Sequence, residues 1–464
     1  METIAGSQKS PTPVYILRGH AAPIHALYVF NHNLRLVSGD ANGWIVIWDL
    51  VTKRPVTVWK AHEGAVLEVK GLMAGAGVTE IYTHGRDHKL CVWKLRAKDE
   101  AFLDKTLPVD VTESAQLSNK SQPWLLHSLP VNALNFCAFS MTFLHADTGS
   151  CSPETPQGNN DPLVSQSRES ESPCENGSQP TERPSILFAV PNALDSGGVD
   201  IFHLPSERRL CTIPSDPSTK TGMVMAVSLF VSTPGDLYAA SAYEDGHVMV
   251  FVHRGPLRLP SLEQSWNNTS AWRWEKLYAS RPHTQPVLSI DVSPIHEYFI
   301  SSAADALLIK HPIPSPGSAG FIPSASINED LPLKTVNTKH SGQQGLRIRS
   351  DGKVFATAGW DSRVRVYSSK TMKELAVLKW HKDGCYAVAF GGIEKDPSPV
   401  SSSLGRVEPS TQETAQHTSG EQVPSTTHDY SLATIHHQRN QKIQQTHWLA
   451  AGSKDGKISL WDIY

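Results

Sequence analysis

Six times along this chain of 464 residues, a turn acid or amide is followed six residues later by an aromatic ring or a histidine. The last copy, LAAGSKDGKISLWDIY, has a short apolar strand, a turn at Lys454-Asp455-Gly456, and a second alternating strand carrying Trp461. An Asp-Gly pair tolerates the positive φ of a tight hairpin turn, so this segment predicts a β-hairpin. Upstream, Asn42 stands six before Trp48, Asp87 before Trp93, Asp245 before Phe251, Asp305 before His311 and Asp361 before Tyr367. Four residues ahead of each turn residue sits a small side chain: Ser38, Thr83, Ser241, Ser301, Thr357 and, in the last copy, Ala451.

A histidine before one more apolar strand precedes most of these hairpins: His20, His62, His283, His340 and His381. A further strand, such as VTVWKAH or AVLKWH, links one unit to the next. Four strands in a repeat of about 40–60 residues is the pattern of a β-propeller blade. By size alone the chain suits two to four domains, but a repeat makes it one body. With 32 prolines, 31 glycines, 12 tryptophans and only 19% charged residues, it suits short strands and tight turns rather than long helices.

The third strands of six units end at Trp48, Trp93, Phe251, His311, Tyr367 and Trp461. Between Trp93 and Phe251, His127 and the strands VNALNFCAF, ILFAV and VDIFHL predict a degraded seventh blade ending at Phe202. The expected fold is all-β: a single seven-bladed propeller over 14–464, with blades ending near 50, 95, 204, 253, 313, 368 and 464. The final unit lacks an outer strand, and VYILRGH at 14–20 is a strand without a unit, so residues 14–18 are expected to close the ring. Residues 1–13 are expected to be disordered, as are two polar inserts, 146–184 in blade 3 and 391–446 in blade 7. Both inserts fall between the first and second strands of their blades. They should leave from one side of the disc and keep the other side open.

These units resemble WD40 repeats, with Gly19-His20 and Trp48-Asp49 in the most complete copy. The resemblance implies a hydrogen-bonded set inside each blade, made by the histidine, the small hydroxyl residue, the turn acid and the aromatic. His62, Thr83, Asp87 and Trp93 match it in full; His20, Ser38, Asn42 and Trp48 match with an amide for the acid. His340, Thr357, Asp361 and Tyr367, and His381, Asp455 and Trp461, are assigned the same structural role. Residues that recur with the repeat are structural rather than catalytic, and no catalytic, cofactor-binding or metal-binding residue is assigned.

Other chemistries find little support. GSKDGK at 452–457 has one residue too few between its glycines for a phosphate loop, and Ile458 stands where a Ser or Thr would hold the metal. Six cysteines without a CxxC pair fit a reducing compartment. No apolar run of about 18 residues and no apolar signal core occur, so the chain reads as soluble and intracellular. Four Asn-x-Ser/Thr tripeptides, at Asn119, Asn176, Asn267 and Asn268, are expected to stay unused. A net charge of −3 and scattered basic residues, with RWEK near Trp272 and Trp274 the best local cluster, argue against direct nucleic-acid binding. What remains is surface recognition. Arg86, Glu244, Trp360 and Lys454, each just before a turn acid, are expected to project onto the open face and are the candidate partner-binding residues.

More specific strings narrow the reading. ILRGH, PIHALYV, LVSGDANGWIVIWDL, HGRDHKLCVWKL, FATAGWDSRVRVYSSKTMKELAVLKWH and LAAGSKDGKISLWDIY resemble the fungal ASTRA-associated protein 1 family, related to animal G-protein β-subunit-like protein 1. The resemblance covers blades 1, 2, 6 and 7 well, blades 4 and 5 loosely and the inserts not at all. It implies a non-enzymatic nuclear scaffold of the ASTRA complex, with cytoplasmic residence left open. Chromatin remodelling would be one role and maturation of phosphatidylinositol-3-kinase-related kinases the other, with the telomere-maintenance protein 2 and the Tti proteins as partners. No cofactor and no membrane association are implied. About 13 residues precede the first strand, which leaves no helix of the kind that binds a Gγ subunit. The alternative is a substrate adaptor of a cullin-type ubiquitin ligase. Trp360-Asp361-Ser362-Arg363 spells the WDxR string of such adaptors, but in a turn rather than at a strand end.

Overall fold

A computed structural model describes residues 11–109, 121–133, 136–144, 185–232, 235–254, 272–315, 331–393 and 432–463. The expected disordered stretches at 1–10, 146–184 and 394–431 lie outside these residues. Seven antiparallel sheets of four strands form a β-propeller. Blade 1 runs through strands a to d as Ile24–Phe30, Arg35–Asp40, Trp44–Asp49 and Arg54–Lys60. Blade 2 is Val66–Met73, Val78–Gly85, Lys89–Arg96 and Trp124–Pro130; blade 3 is Ser140–Leu144, Ser185–Pro191, Val199–Leu204 and Arg208–Ile213. Blade 4 is Val224–Val231, Leu237–Tyr243, Val248–Arg254 and Arg273–Ser280; blade 5 is Val287–Val292, Tyr298–Ala303, Leu307–Pro312 and Lys334–Asn337. Blade 6 is Gln343–Ile348, Val354–Gly359, Val364–Ser368 and Glu374–Leu378.

Blade 7 takes Cys385–Phe390, Trp448–Ser453 and Lys457–Asp462 from the end of the chain and Tyr15–Arg18 from its start. Tyr15 pairs with Leu460 and Arg18 with Lys457 in antiparallel register, so the chain's two ends share one sheet. Pairing these strands removes an open sheet edge at the seam. A second tie crosses the same seam. After strand c of blade 2, residues 97–109 run back along blade 1, where Asp104 accepts a hydrogen bond from Val58 N–H at 2.7 Å. The segment ends with Val109 N–H bonded to Gly19 O at 2.9 Å, and Val109 is buried with Leu17, Trp48 and Leu460.

Apolar side chains from adjacent blades interlock into separate clusters rather than one central core. Leu36, Val46 and Trp48 of blade 1 pack with Ala389, Trp448 and Leu460 of blade 7. Phe230 and Tyr238 of blade 4 pack with Ile290 and Phe299 of blade 5. Each strand c is buried on both faces, hence continuous apolar runs such as WIVIW. At about 25 cal/mol per Å² of apolar surface, these clusters supply most of the favourable term.

Two expectations are corrected. The first strand of blade 3 is Ser140–Leu144, not VNALNFCAF, whose described residues 131–133 and 136–139 lie outside any strand; His127 sits in strand d of blade 2, bonded to Glu207 at 2.5 Å. The polar stretch assigned as a disordered insert in blade 7 contains an α-helix, Leu432–Gln445. That segment has no Gly or Pro, and four Gln with one each of Arg, Lys, Leu and Ala supply good helix formers. Its polarity reflects exposure, since none of its residues is buried, and its end is tied to the propeller. Trp448 Nε1 donates to Ile443 O at 2.9 Å, and Asn33 Nδ2 donates to Gln444 O at 2.8 Å.

Candidate interaction face

The polar sets inside the blades decide which surface is rigid. In blade 2, His62 Nδ1 lies 2.9 Å from Asp87 and Nε2 lies 2.8 Å from Thr83 Oγ1, which also accepts from Trp93 Nε1 at 3.0 Å. Burial alone would raise the Asp87 pKa, but the His62 hydrogen bond and charge and the Glu63 N–H outweigh it and hold the carboxyl below its ordinary value. Blade 5 repeats the arrangement with His283, Asp305 and Ser301, and His311 replaces the indole, 2.9 Å from Ser301. Burial pushes the His311 pKa well below 6.5, with the nearby His283 adding to it.

Three blades depart from the expected sets. In blade 1 the acid is Asp40, not Asn42: Asp40 Oδ2 lies 2.7 Å from His20 Nδ1, while Ser38 meets His20 Nε2 at 2.7 Å and Trp48 Nε1 at 2.9 Å. Asp40 stands where blade 2 has Gly85, since both pair with the first residue of strand a. From there its carboxylate also accepts the N–H groups of Asn42 and Trp44, so Asn42 keeps only a turn position. In blade 7 the strand-b position is Ala451, and the hydroxyl comes from its register partner Ser459, 2.8 Å from both His381 Nε2 and Trp461 Nε1. Asp455 lies 3.6 Å from His381. In blade 6, His340 stands three residues before strand a, where the histidines of blades 1, 2, 5 and 7 stand four before, and its side chain is 44% exposed. Gln343 takes the interior place and accepts from Thr357 Oγ1 at 2.6 Å. Asp361 is held by Arg365 Nη2 at 2.6 Å, and Tyr367 is stacked on Phe355.

These sets anchor the turns between strands b and c. In six blades the turn residue in the same position donates its N–H to the connection leading into strand a: Ala41 to Pro23, Arg86 to Ala65, Glu244 to Met223, Ala304 to Pro286, Trp360 to Gly342 and Lys454 to Gly384, at 2.8–3.1 Å. Arg86, Glu244, Trp360 and Lys454 are all exposed on this one face. The segment 97–109 falls in a c–d connection of the opposite face, and the chain enters and leaves the spans of both inserts from strands a and b at that side. The WDxR string occupies the turn Gly359–Arg363 and not the end of a strand c.

Strands a line an axial channel of about 820 Å³, touched by Ala26, Leu67, Met141, Val227, Ile290, Gly345 and Ala387, one from each blade. A charged network crosses it. Arg347 Nη2 of blade 6 donates to Glu68 Oε2 of blade 2 at 2.6 Å, and Asp291 Oδ2 of blade 5 accepts the Ile348 N–H at 2.6 Å. Burial raises the Asp291 pKa against the pull of Arg347, and burial lowers that of Lys70 against the pull of Glu68. At the open-face mouth stand Trp360, Tyr386, His25 and Phe136. His25 and Tyr386 stack with centroids 5.3 Å apart and planes 4° from parallel, and the Arg86 guanidinium lies 4.5 Å over the Phe136 ring. Trp360 Nε1 donates to Gln344 Oε1 at 2.8 Å.

Of the four candidates, Arg86 and Trp360 belong to this rim; Glu244 and Lys454 do not line it. His25 and Tyr386 share one repeat position, second in strand a and five after His20 and His381, but that position holds Leu67 and Leu288 in blades 2 and 5, so no residue type marks it; Phe136 lies in a connection outside the repeat pattern. Cys91, Cys137, Cys211 and Cys385 are buried thiols with raised pKa values, about 12 for Cys211 and Cys385, for which burial is the main cause. Among the described residues, no group of three or more His, Cys, Asp or Glu side chains is placed to hold a metal ion.

The family model described as "WD domain, G-beta repeat" matches residues 11–49, 332–368 and 431–462, which carry most of the closing seam and of blade 6. A Penicillium rubens protein named "ASTRA-associated protein 1" is 66% identical over 465 aligned positions, spanning all of both chains. The chain belongs to the ASTRA-associated protein 1 family. An Aspergillus flavus protein of that name is 58% identical over the full length of both chains. A Schizosaccharomyces pombe protein of that name is 32% identical, covering 82% of this chain and 93% of its own. The ASTRA-associated protein 1 family thus extends over the whole propeller, including blades 3 to 5, where the repeat text is weakest.

Proposed function

We propose that the protein is a non-enzymatic scaffold subunit of the ASTRA assembly and that it receives protein partners on the face carrying the b–c turns. The carrying observation is likeness to full-length proteins named for association with ASTRA, at 66% identity over the entire chain. The rigid turn positions and the exposed Trp360 and Arg86 support docking on this side. In this reading the telomere-maintenance protein 2, the Tti proteins and phosphatidylinositol-3-kinase-related clients are the partners. Chromatin remodelling and kinase maturation are the processes served. The protein works in the nucleus, with a cytoplasmic pool left open.

Affinity purification of the tagged full-length protein from fungal cells, followed by mass spectrometry, tests this. Recovery of Tti proteins and kinase-related clients is expected. Recovery of a cullin and its adaptor in their place would replace the scaffold reading with that of a ubiquitin-ligase receptor. Imaging of the same tagged protein checks the nuclear assignment.

A further inference from the structure

The open-face mouth of the channel is not uniform. In the turns and connections of blades 6, 7, 1 and 2, the exposed basic side chains are Arg86, Lys339, Lys379, Lys382 and Lys454, against the exposed acids Glu63, Asp361 and Asp383. Glu63 is already held by Lys60 at 2.7 Å. The turn acids of these blades are paired, Asp87 with His62, the exposed Asp361 with Arg365 and Asp455 with Lys457. On the same face, the aromatic arc of Trp360, Tyr386, His25 and Phe136 stands at the channel mouth.

The arc is built rather than accidental. Gly342 has φ +74°, and a Cβ there would fall 2.1 Å from Trp360 Cε3, so one face of the indole rests on bare backbone. Gln344 fixes its N–H, yet Trp360 is still 48% exposed. Phe136 is 58% exposed and held by Arg86. Rigid aromatic side chains of this kind lose little freedom on binding and serve as anchors. A basic surround adds electrostatic steering toward an acidic partner.

We infer that this arc is a docking site for an acidic protein segment carrying an aromatic or large aliphatic anchor residue. The inference rests on the scaffold reading above and names the chemistry of the partner it takes. The basic groups share their face with an aromatic patch and are interrupted by three acids rather than forming a continuous track for a phosphate backbone, so a peptide is favoured over a nucleic acid.

The test uses the full-length protein and a fluorescein-labelled 14-residue peptide of Asp and Glu with a central Phe-Leu pair. Fluorescence anisotropy is expected to show saturable binding, at least tenfold tighter than for the same peptide with Lys replacing the acids or with Ser replacing Phe-Leu. Trp360→Ala and Arg86→Glu should each weaken it at least tenfold with thermal midpoints within a few degrees of wild type, and Glu244→Gln, outside the arc, should leave it unchanged. No saturable binding, equal binding by Trp360→Ala, or equal or tighter binding of a single-stranded oligodeoxynucleotide of the same length would overturn the assignment. Purification of the Trp360→Ala protein separates this from the scaffold reading. Undiminished recovery of the ASTRA proteins by the variant removes the docking site alone, whereas their absence with the wild type removes the reading itself.

Discussion

Arg347 and Glu68 hold each other across the axis of the ring, Nη2 to Oε2 at 2.6 Å, although 279 residues separate them along the chain. Their blades are not neighbours, so this pair resists widening of the channel in a way that no contact between adjacent blades can. Breaking a buried ion pair by removing one partner costs about 3–5 kcal/mol, and Arg347 keeps 29% of its side chain exposed, which puts the cost near the lower limit. Glu68→Leu is expected to lower unfolding free energy by about 3 kcal/mol, and the double variant with Arg347→Leu to regain most of it. Urea unfolding of the four proteins in the cycle measures this; additive losses would show that the pair is not coupled.

Asp40 and Asn42 make a sharper test of the blade 1 polar set. Asp40 accepts from two turn N–H groups and contacts His20, whereas the Asn42 side chain takes no part in the set. Asp40→Ala should cost about 2–3 kcal/mol by stranding these donors, and Asn42→Ala no more than about 0.5 kcal/mol. The reverse order in denaturant midpoints would restore Asn42 to the set.

The seam between blades 7 and 1 is tied twice. Removing residues 1–18 takes away strand Tyr15–Arg18 and the buried Leu17, and is expected to unfold the ring or sharply lower its melting temperature. Val109→Asp leaves that strand in place but puts a carboxylate into the cluster of Leu17, Trp48 and Leu460, with an expected loss of about 3 kcal/mol. A calorimetric transition unchanged by the truncation would mean that the ring does not depend on this closure.

His84 is fully buried against Phe139, and burial lowers its pKa from 6.5 to about 3, with His62 adding to the effect. The folded protein keeps the imidazole neutral while the unfolded chain binds a proton below pH 6.5. The stability that depends on neutral His84 is therefore complete above pH 6.5 and lost as pH falls from there toward about 3. Between pH 6 and 4.5, His84→Gln should reduce the slope of stability against pH by up to about 1.4 kcal/mol per unit, the linkage of one proton. Urea midpoints at four pH values suffice, and an unchanged slope would mean that His84 is protonated in the folded state.

Much of this was legible in the chain before any tertiary structure, because a propeller repeats its chemistry. A turn residue at a fixed distance from Trp48, Trp93 or Trp461 marks strand c, and strand c locates the other three strands of its blade. Where the signal failed, the cause was specific. Asp40 and Asn42 are both polar and two residues apart, and only the strand-b register brings Asp40 to His20. Ser459 was invisible because it substitutes for a missing hydroxyl from the adjacent strand, at Ala451. His340 is one position out of phase with strand a, which sequence spacing without exact strand ends does not reveal. The helix Leu432–Gln445 was read by polarity as unstructured although its residue types favour helix.

By itself, then, the sequence determined the all-β class, the seven blades, the closing strand and the interior role of His62, Thr83, Asp87 and Trp93. Those features are periodic or local: turn chemistry and strand alternation act over a few residues. Only the tertiary structure decided which side chains meet across the ring. Glu68 with Arg347 and Arg86 with Phe136 carry no repeat spacing, and at the repeat positions of His25, Tyr386, Trp360 and Gly342 the spacing does not say which side chains meet. Their proximity arises when seven sheets wrap around one axis and bring distant strand ends to a common rim.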